Sequence, residues 1–349
     1  MQIDIQKTTE SRIGQTDFDN IVFGHVFADH MFIVDYEDSQ WKNPRIKPYG
    51  PLQLNPALSA LHYGQSIFEG MKAFRRSDGH ILLFRPEENW MRLNESALRM
   101  SMPTLPKDIF MDGLRNWLVL DADWVPASGD HSLYIRPFMF ATDDYLGVKP
   151  SSKFSFIIYG CPVNAYYTEP LRIKIEDHYV RAVAGGVGYA KTCGNYAAAM
   201  YPTHLAQKMG YHQSLWTDAI EHKYLEELGT SNFFALIDNI LITPQLSETI
   251  LKGITRDSII LLSRDMGISV EERPFPVTEL MDAYQIGRLK EAFATGTAAT
   301  VAPIEHLHYK GEDIRLNVEG DTLASVLKKK LDSIKRGFST DSHNWVVPI

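Results

Sequence analysis

The spacing of apolar and polar residues changes several times along this 349-residue chain, and each change marks an element. MKAF (71–74) and ILLF (81–84) are short apolar runs separated by RRSDGH, whose Asp78-Gly79 pair suits a tight turn, so they predict a hairpin. The next stretch moves to helical spacing. Pro86 fits the first helical position, Glu87 and Glu88 its positive end, and Trp90, Leu93, Ala97 and Met100 one apolar face, with Pro103 and Pro106 closing it. On that wheel Arg92 falls opposite the apolar face and reads as solvated surface. LYIRPFMFA (133–141) and KFSFIIYGC (153–161) predict two further strands of a buried sheet.

After Pro162 the apolar run gives way to VNAYYTEP, which places an inter-domain connection over 163–171. A smaller N-terminal α/β domain over 1–162 and a larger C-terminal domain over 172–349 follow from that boundary, in keeping with the chain length. The second half opens with RIKIEDHYVRAV and a glycine-rich stretch, then a helical run from Ala197 to Met209 that Gly210 stops and Pro202 bends. SLWT (214–217), FFALI (233–237) and ILIT (240–243) read as strands, the last two joined at Asp238-Asn239. A helix runs from about Arg256 to Met266, capped by Thr255 and stopped by Gly267. A short helix after Thr278, the strand LKEAF and the turn TGTAAT complete a mixed α/β, or α+β, pattern without repeats.

Composition narrows the class. Hydrophobic residues at 44% and charged ones at 22% suit a soluble globular chain with a sizeable core. A net charge of -8 argues against a nucleic-acid partner. The one basic cluster, Lys328, Lys329, Lys330, Lys335 and Arg336, reads as the solvated face of a C-terminal helix with apolar positions Leu323, Val326, Leu327, Leu331 and Ile334. No apolar run approaches the roughly 20 residues that span a bilayer, so no membrane partner is expected. Cys161 and Cys193 form no CxxC or metal-ligand pattern, and a reducing compartment, the cytoplasm, is the expectation. Cys193 reads as a buried, inert thiol, with a reactive thiol beside Lys191 as the alternative.

The chemistry centres on GGVGYAKTCGNYAA (185–198), where a single lysine, Lys191, stands among small residues. Such a lysine serves as a solvated charge, an anion clamp or a nucleophilic amine. As the amine that binds a carbonyl cofactor it requires three companions: an anion for a ring nitrogen, a phosphate site of backbone N–H groups, and a group for the substrate carboxylate. Glu227, in LEELGTSNFF (225–234), stands between apolar segments where a lone carboxylate is costly to bury. KGITRDS (252–258) is a glycine-led turn entering a helix, and ATGTAAT (294–300) is a second small-residue turn. Each is weak alone; their joint order carries the signal.

LHYGQSIFEGMKAF, LFRPEENWMRLNESALRM, YIRPF, GGVGYAKTCGNYAA, LEELGTSNFF, LKGITR and FATGTAATVAPI, in this order, resemble the branched-chain amino-acid aminotransferases, fold-type IV pyridoxal-phosphate enzymes. The likeness runs from VFGHVFADHM (22–31) to the C-terminal NWVVPI. It implies two domains with pyridoxal 5'-phosphate in the cleft between them. Lys191 would bond the cofactor and shuttle the proton; Tyr196 would hold its phenolic oxygen and Glu227 its ring nitrogen. Arg92, Thr230, Ile254, Thr255 and Thr297 match further cofactor contacts, so for Arg92 the resemblance replaces solvent with a phosphate. Tyr63, Arg136, Thr297 and Ala298 match the substrate pocket, bordered by Phe23, Phe68, Tyr134 and Val148. The implied reaction is reversible amino transfer between L-leucine, L-isoleucine or L-valine and 2-oxoglutarate, with glutamate as the other amino acid, in a homodimer. A D-amino-acid aminotransferase or aminodeoxychorismate lyase of the same fold type, and a non-catalytic pyridoxal-phosphate protein, are the alternatives. Tyr189-Ala190 and Thr192-Cys193 around the lysine depart from the family pattern, and Ala299 and Ala302 stand where some mammalian members carry a CxxC pair.

Overall fold

Strands Ser132–Ala141 and Phe154–Val163 are buried along nearly their whole length, as their unbroken apolar sequence demands, and they form the middle of an antiparallel sheet. The computed structural model describes residues 2–127, 131–164 and 169–349. They fall into two units: Met1–Tyr166 with Ala190–Cys193 and Ile334–Ile349, and Tyr167–Tyr189 with Gly194–Ser333.

In the first unit the sheet continues on one side through His30–Glu37 and Gln40–Pro48, and on the other through the hairpin Met71–Arg75 and Ile81–Phe84. The C-terminal strand Val346–Pro348 pairs with Ile81–Phe84, and the short strand Ser66–Phe68 pairs with Ser132–Ala141. Helices Pro86–Arg99 and Lys107–Leu120 cover the sheet, burying Leu93, Ala97, Phe110 and Trp117 against Phe32 and Phe156.

In the second unit six strands close on themselves. Leu225–Leu228, Gln213–Thr217, Leu171–Ile175, Thr300–Tyr309, Leu289–Gly296 and Asn232–Ile237 pair in turn, and the Glu227–Asn232 pairing completes the ring. Closure removes the open edge at those two residues, so their side chains sit where strand pairing is fixed from both sides. Ile240–Pro244 and Ser269–Arg273 extend the sheet outside the ring. Asp238 takes the left-handed conformation at the Asp238-Asn239 turn, with φ at 53°.

Several expectations change. The sequence boundary assigns Lys191 and the C-terminus to the second half. Yet Ala190–Cys193 groups with the first unit, because Lys191 and Thr192 are bonded to Ser66, Phe68 and Ser96 there. Ile334–Ile349 joins it through strand Val346–Pro348. The expected connection over 163–171 includes 165–168, which lie outside the described residues. The helix expected from Ala197 begins at Cys193 and continues through Pro202 to Lys208. Asn195 ties its first turn to the Val187 carbonyl at 2.8 Å, which offsets the poor helix propensity of Gly194. Cys193 is exposed rather than buried, since it shares the outer side of that first turn with Gly194.

Thr255 does not cap its helix: the element is Ile254–Asp265, Gly253 is the cap, and Thr255 is buried within the first turn. A Cβ at 253 would overlap Asn232 Oδ1, so any larger residue there must displace that amide. Lys335 leaves the solvated face as well. It is 3% exposed, with its ammonium 5.1 Å from the Phe84 ring centre.

Candidate active site

Lys191 is held by its backbone before its side chain is considered. Its N–H donates to Ser96 Oγ at 2.9 Å, and its carbonyl accepts the Phe68 N–H at 3.0 Å. Thr192 pairs with Ile67 and donates its hydroxyl to the Ser66 carbonyl at 3.1 Å. The lysine is thereby clamped between strand Ser66–Phe68 and helix Pro86–Arg99, with its ammonium 4.8 Å from the Phe68 ring centre.

Arg92 is not on the surface. Asn89, Arg92 and Ser96 recur at helical spacing as a buried polar stripe beside Leu93 and Ala97. Facing that stripe is Glu69, fully buried, whose two oxygens take Arg92 Nε and Nη2 at 2.8 Å each. Asn89 Nδ2 adds a bond to Glu69 Oε2 at 2.7 Å. Burial pushes the Glu69 carboxyl up, but Arg92, with smaller help from Lys191 and Asn89, outweighs it and holds the group below the usual carboxylate range.

Arg136 lies in the same unit with its guanidinium 4.5 Å from the Phe68 ring centre and Nη2 3.0 Å from the Tyr134 hydroxyl. Phe23 packs edge-on against Tyr134 at 5.2 Å. Phe68, Tyr134, Arg136 and Phe23 are therefore one cluster, with Lys191 on the Phe68 ring. Tyr63 and Val148 lie on the surface, 44% and 88% exposed.

In the second unit Glu227 is 3% exposed and its carboxylate is built in from three sides. Oε1 accepts Arg181 Nη1 at 2.8 Å and the Leu251 N–H at 3.0 Å, and Oε2 accepts Asn232 Nδ2 at 3.1 Å. Arg181 also donates to the Gly188 and Thr249 carbonyls, which ties the glycine-rich stretch to the same network. The hairpin that follows Glu227 brings Thr230 to its exposed tip. Gly296 packs there, since a Cβ on it would sit 3.3 Å from the Thr230 carbonyl oxygen, and the Thr297-Ala298 turn follows. Ile254 and Thr255 form the first turn of their helix, whose leading N–H groups have no intrahelical partner. Tyr196 is half-buried on helix Cys193–Lys208.

Glu226, beside Glu227, is also buried. Burial pushes its carboxyl up to about 7, the Thr249 hydroxyl pulling down and the Glu227 charge pushing further up. Its Oε1 accepts Thr249 Oγ1 at 2.5 Å, while Oε2 has no hydrogen-bond partner.

Sequence reasoning missed Glu69, Asn89, Ser96, Arg181, Glu226 and Asn232. For Glu69 the signal is present: a lone carboxylate in SIFEGM, between Phe68 and Gly70, meets the criterion that singles out Glu227. Among the described residues no group of three His, Cys, Asp or Glu side chains could hold a metal ion, and no helix is long and apolar enough to cross a membrane.

The model of the family described as amino-transferase class IV matches residues 66–307. Branched-chain-amino-acid transaminase 1 of Bacillus subtilis (strain 168) is 47% identical over 336 residues, 94% of each chain. Among solved structures, the branched-chain amino acid aminotransferase from Escherichia coli superposes with a TM-score of 0.74 at 25% identity, covering 92% of this chain and 98% of that one. The enzyme of the same name from Thermobaculum terrenum, in its PLP-form, gives a TM-score of 0.75 at 21% identity, with 92% and 98% coverage.

Proposed function

The chain belongs to the class IV aminotransferase family, of fold-type IV, and we propose that it transfers amino groups between L-leucine, L-isoleucine or L-valine and 2-oxoglutarate, using pyridoxal 5'-phosphate. The observation that carries the chemistry is Glu227: a buried carboxylate that accepts from Arg181, Asn232 and the Leu251 N–H. That donor set suits a protonated ring nitrogen, because a buried anion with directed partners keeps a nearby cation charged. The choice of branched-chain substrates is supported by the 47% identity to the Bacillus subtilis transaminase.

The residues fit the cofactor's chemistry. Lys191 is the amine, with its backbone fixed so that Nζ reaches a defined position. Arg92, Thr255, Thr297 and the first-turn N–H groups at Ile254 and Thr255 are the donors suited to a phosphate, and Thr230 is a further contact. Tyr196 supplies a hydroxyl for the phenolic oxygen. When bound, pyridoxal phosphate supplies a carbonyl carbon that exchanges amino groups and a ring that withdraws electron density. Lys191 Nζ would be the group that accepts a proton and gives it back during the transfer. Tyr63, Arg136 and Ala298 with Phe23, Phe68, Tyr134 and Val148 serve the substrate: Arg136 offers a cation for a carboxylate, and the aromatic cluster around it excludes water from an aliphatic side chain.

A second copy of the chain completes the pocket in this reading. Its support is the exposed apolar set Leu61 and Tyr63, on helix Ser59–Tyr63, and Leu146 and Val148, on the loop after Asp144, the two segments being joined by the Leu58–Asp144 bridge. The compartment is the cytoplasm. Steady-state assays of leucine, isoleucine and valine with 2-oxoglutarate, against D-alanine, test the reading. Turnover confined to D-alanine, or turnover surviving Lys191→Ala, would overturn it.

A further inference from the structure

Glu69 is the residue of the first unit that the reaction above leaves unexplained. A carboxylate with no solvent exposure is costly to keep, and this one is supported on both oxygens. Arg92 takes the pair through Nε and Nη2, Asn89 Nδ2 bonds Oε2, and the Gly70 N–H lies 3.2 Å from the same oxygen. The Glu69 backbone has little freedom to shift. Its N–H donates to the Pro137 carbonyl at 2.7 Å, and Gly70 after it is pressed on Tyr134, whose hydroxyl a Cβ would overlap.

The same elements that hold Glu69 hold Lys191. Phe68, immediately before Glu69, donates its N–H to the Lys191 carbonyl and presents its ring to the Lys191 ammonium. Ser96, one turn after Arg92 on the helix, accepts the Lys191 N–H and donates its hydroxyl to the Arg92 carbonyl at 3.0 Å. Arg92 is thus locked to one fixed anion at two points, and Lys191 is held by the residues that flank that pair, Phe68 and Ser96.

We propose that Glu69 is a positioning residue of this site: it fixes the orientation of the Arg92 guanidinium and neutralises its charge, so that Lys191 Nζ gains and loses its proton beside a pair without net charge. The inference rests on reading Lys191 as the amine that bonds pyridoxal phosphate. Its physical content is electrostatic. With Glu69 ionised, the Glu69–Arg92 pair is neutral, and Lys191 faces no net charge from it. With Glu69 neutral, Arg92 stands as an uncompensated cation, which disfavours the ammonium form of Lys191.

The test uses the cofactor-free full chain. The pH dependence of Lys191 modification by acetic anhydride, read by mass spectrometry of its peptide, gives the amine's titration midpoint. In Glu69→Gln the midpoint falls by about one pH unit, and in the double variant Glu69→Gln/Arg92→Met it returns toward that of the parent chain. A structural role alone would not produce that return. A midpoint unmoved in a folded Glu69→Gln protein, or a shift that Arg92→Met does not reverse, overturns the proposal. Should Glu69→Gln fail to fold, Glu69→Asp carries the test, because it keeps the charge and shortens the reach. Its midpoint stays in place while affinity for pyridoxal phosphate falls about tenfold relative to that for pyridoxal. A moved midpoint, or unchanged relative affinity, overturns the proposal. Borohydride reduction of each protein with pyridoxal phosphate separates the two layers. Trapping at another lysine removes the underlying reading, whereas trapping at Lys191 with a midpoint indifferent to Glu69 removes only this one.

Discussion

Arg181 Nη1 lies 2.8 Å from Glu227 Oε1, and both side chains are about 95% buried. The two residues reach each other from strand Leu225–Leu228 and from the segment before the glycine-rich stretch, so the pair joins the closed ring of strands to that stretch. Breaking such a pair from one side leaves an uncompensated charge. Arg181→Met should destabilise the chain by about 3–5 kcal/mol, measured as the fall in urea unfolding free energy at pH 7. A loss below about 1 kcal/mol would mean that Asn232 and the Leu251 N–H suffice to hold the carboxylate.

Glu226 gives a pH dependence of defined sign. Its carboxyl is raised from 4.5 to about 7 in the native chain, so between those values the folded state keeps a proton that the unfolded state has released. Stability contributed by this group is complete below the unfolded value and is lost as pH rises through the folded one. Replacing it with a neutral side chain of the same shape removes the penalty. Glu226→Gln should therefore be more stable than the parent by about 2–3 kcal/mol at pH 8, with the difference shrinking toward zero near pH 5. A constant difference across that range would show that Glu226 is not the group titrating.

The local elements of the fold were legible because they rest on local patterns. The hairpin Met71–Arg75 and Ile81–Phe84 and the helix Pro86–Arg99 follow from apolar spacing and turn chemistry. Glu227 was legible for the same kind of reason, as an acid misplaced in an apolar run. Arg92 and Lys335 were not legible from spacing, because each neighbours the true buried positions and only long-range partners, Glu69 and Phe84, decide which way it faces. Lys191 joined the first unit for a similar reason: four residues of chain are fixed by bonds to Ser66, Phe68 and Ser96, far away in sequence. The supporting residues Arg181 and Asn232 left no sequence signal of their own, since a single arginine or asparagine near a turn is unremarkable until its partner is known.

Gly253 connects packing to the carboxylate cradle. The Asn232 side chain that bonds Glu227 Oε2 also donates to the Leu251 carbonyl at 3.0 Å, and its oxygen occupies the space a Cβ on residue 253 would need. Gly253→Ala should displace the Asn232 amide, costing about 1–3 kcal/mol and loosening Glu227. Thermal unfolding reads the first effect and pyridoxal-phosphate retention on dialysis the second. A stable protein with full retention would show that Asn232 can rotate without consequence.

Ser96 offers the cleanest separation of position from charge. Its hydroxyl accepts the Lys191 N–H and donates to the Arg92 carbonyl, and the side chain is fully buried. Ser96→Ala removes that acceptor without altering any ionisable group, at a stability cost of about 1–2 kcal/mol for the lost bond and the stranded N–H. The larger effect should fall on turnover, because Lys191 Nζ must return to one place to move a proton, and a displacement near 1 Å costs on the order of a hundredfold in rate. With the charges unchanged, the pH profile of kcat should keep its shape while its height drops. Ser96→Thr, which keeps the hydroxyl, should restore part of that height if the added methyl fits. A profile shifted along the pH axis in Ser96→Ala would place the serine's effect on the amine's protonation rather than on where the amine stands.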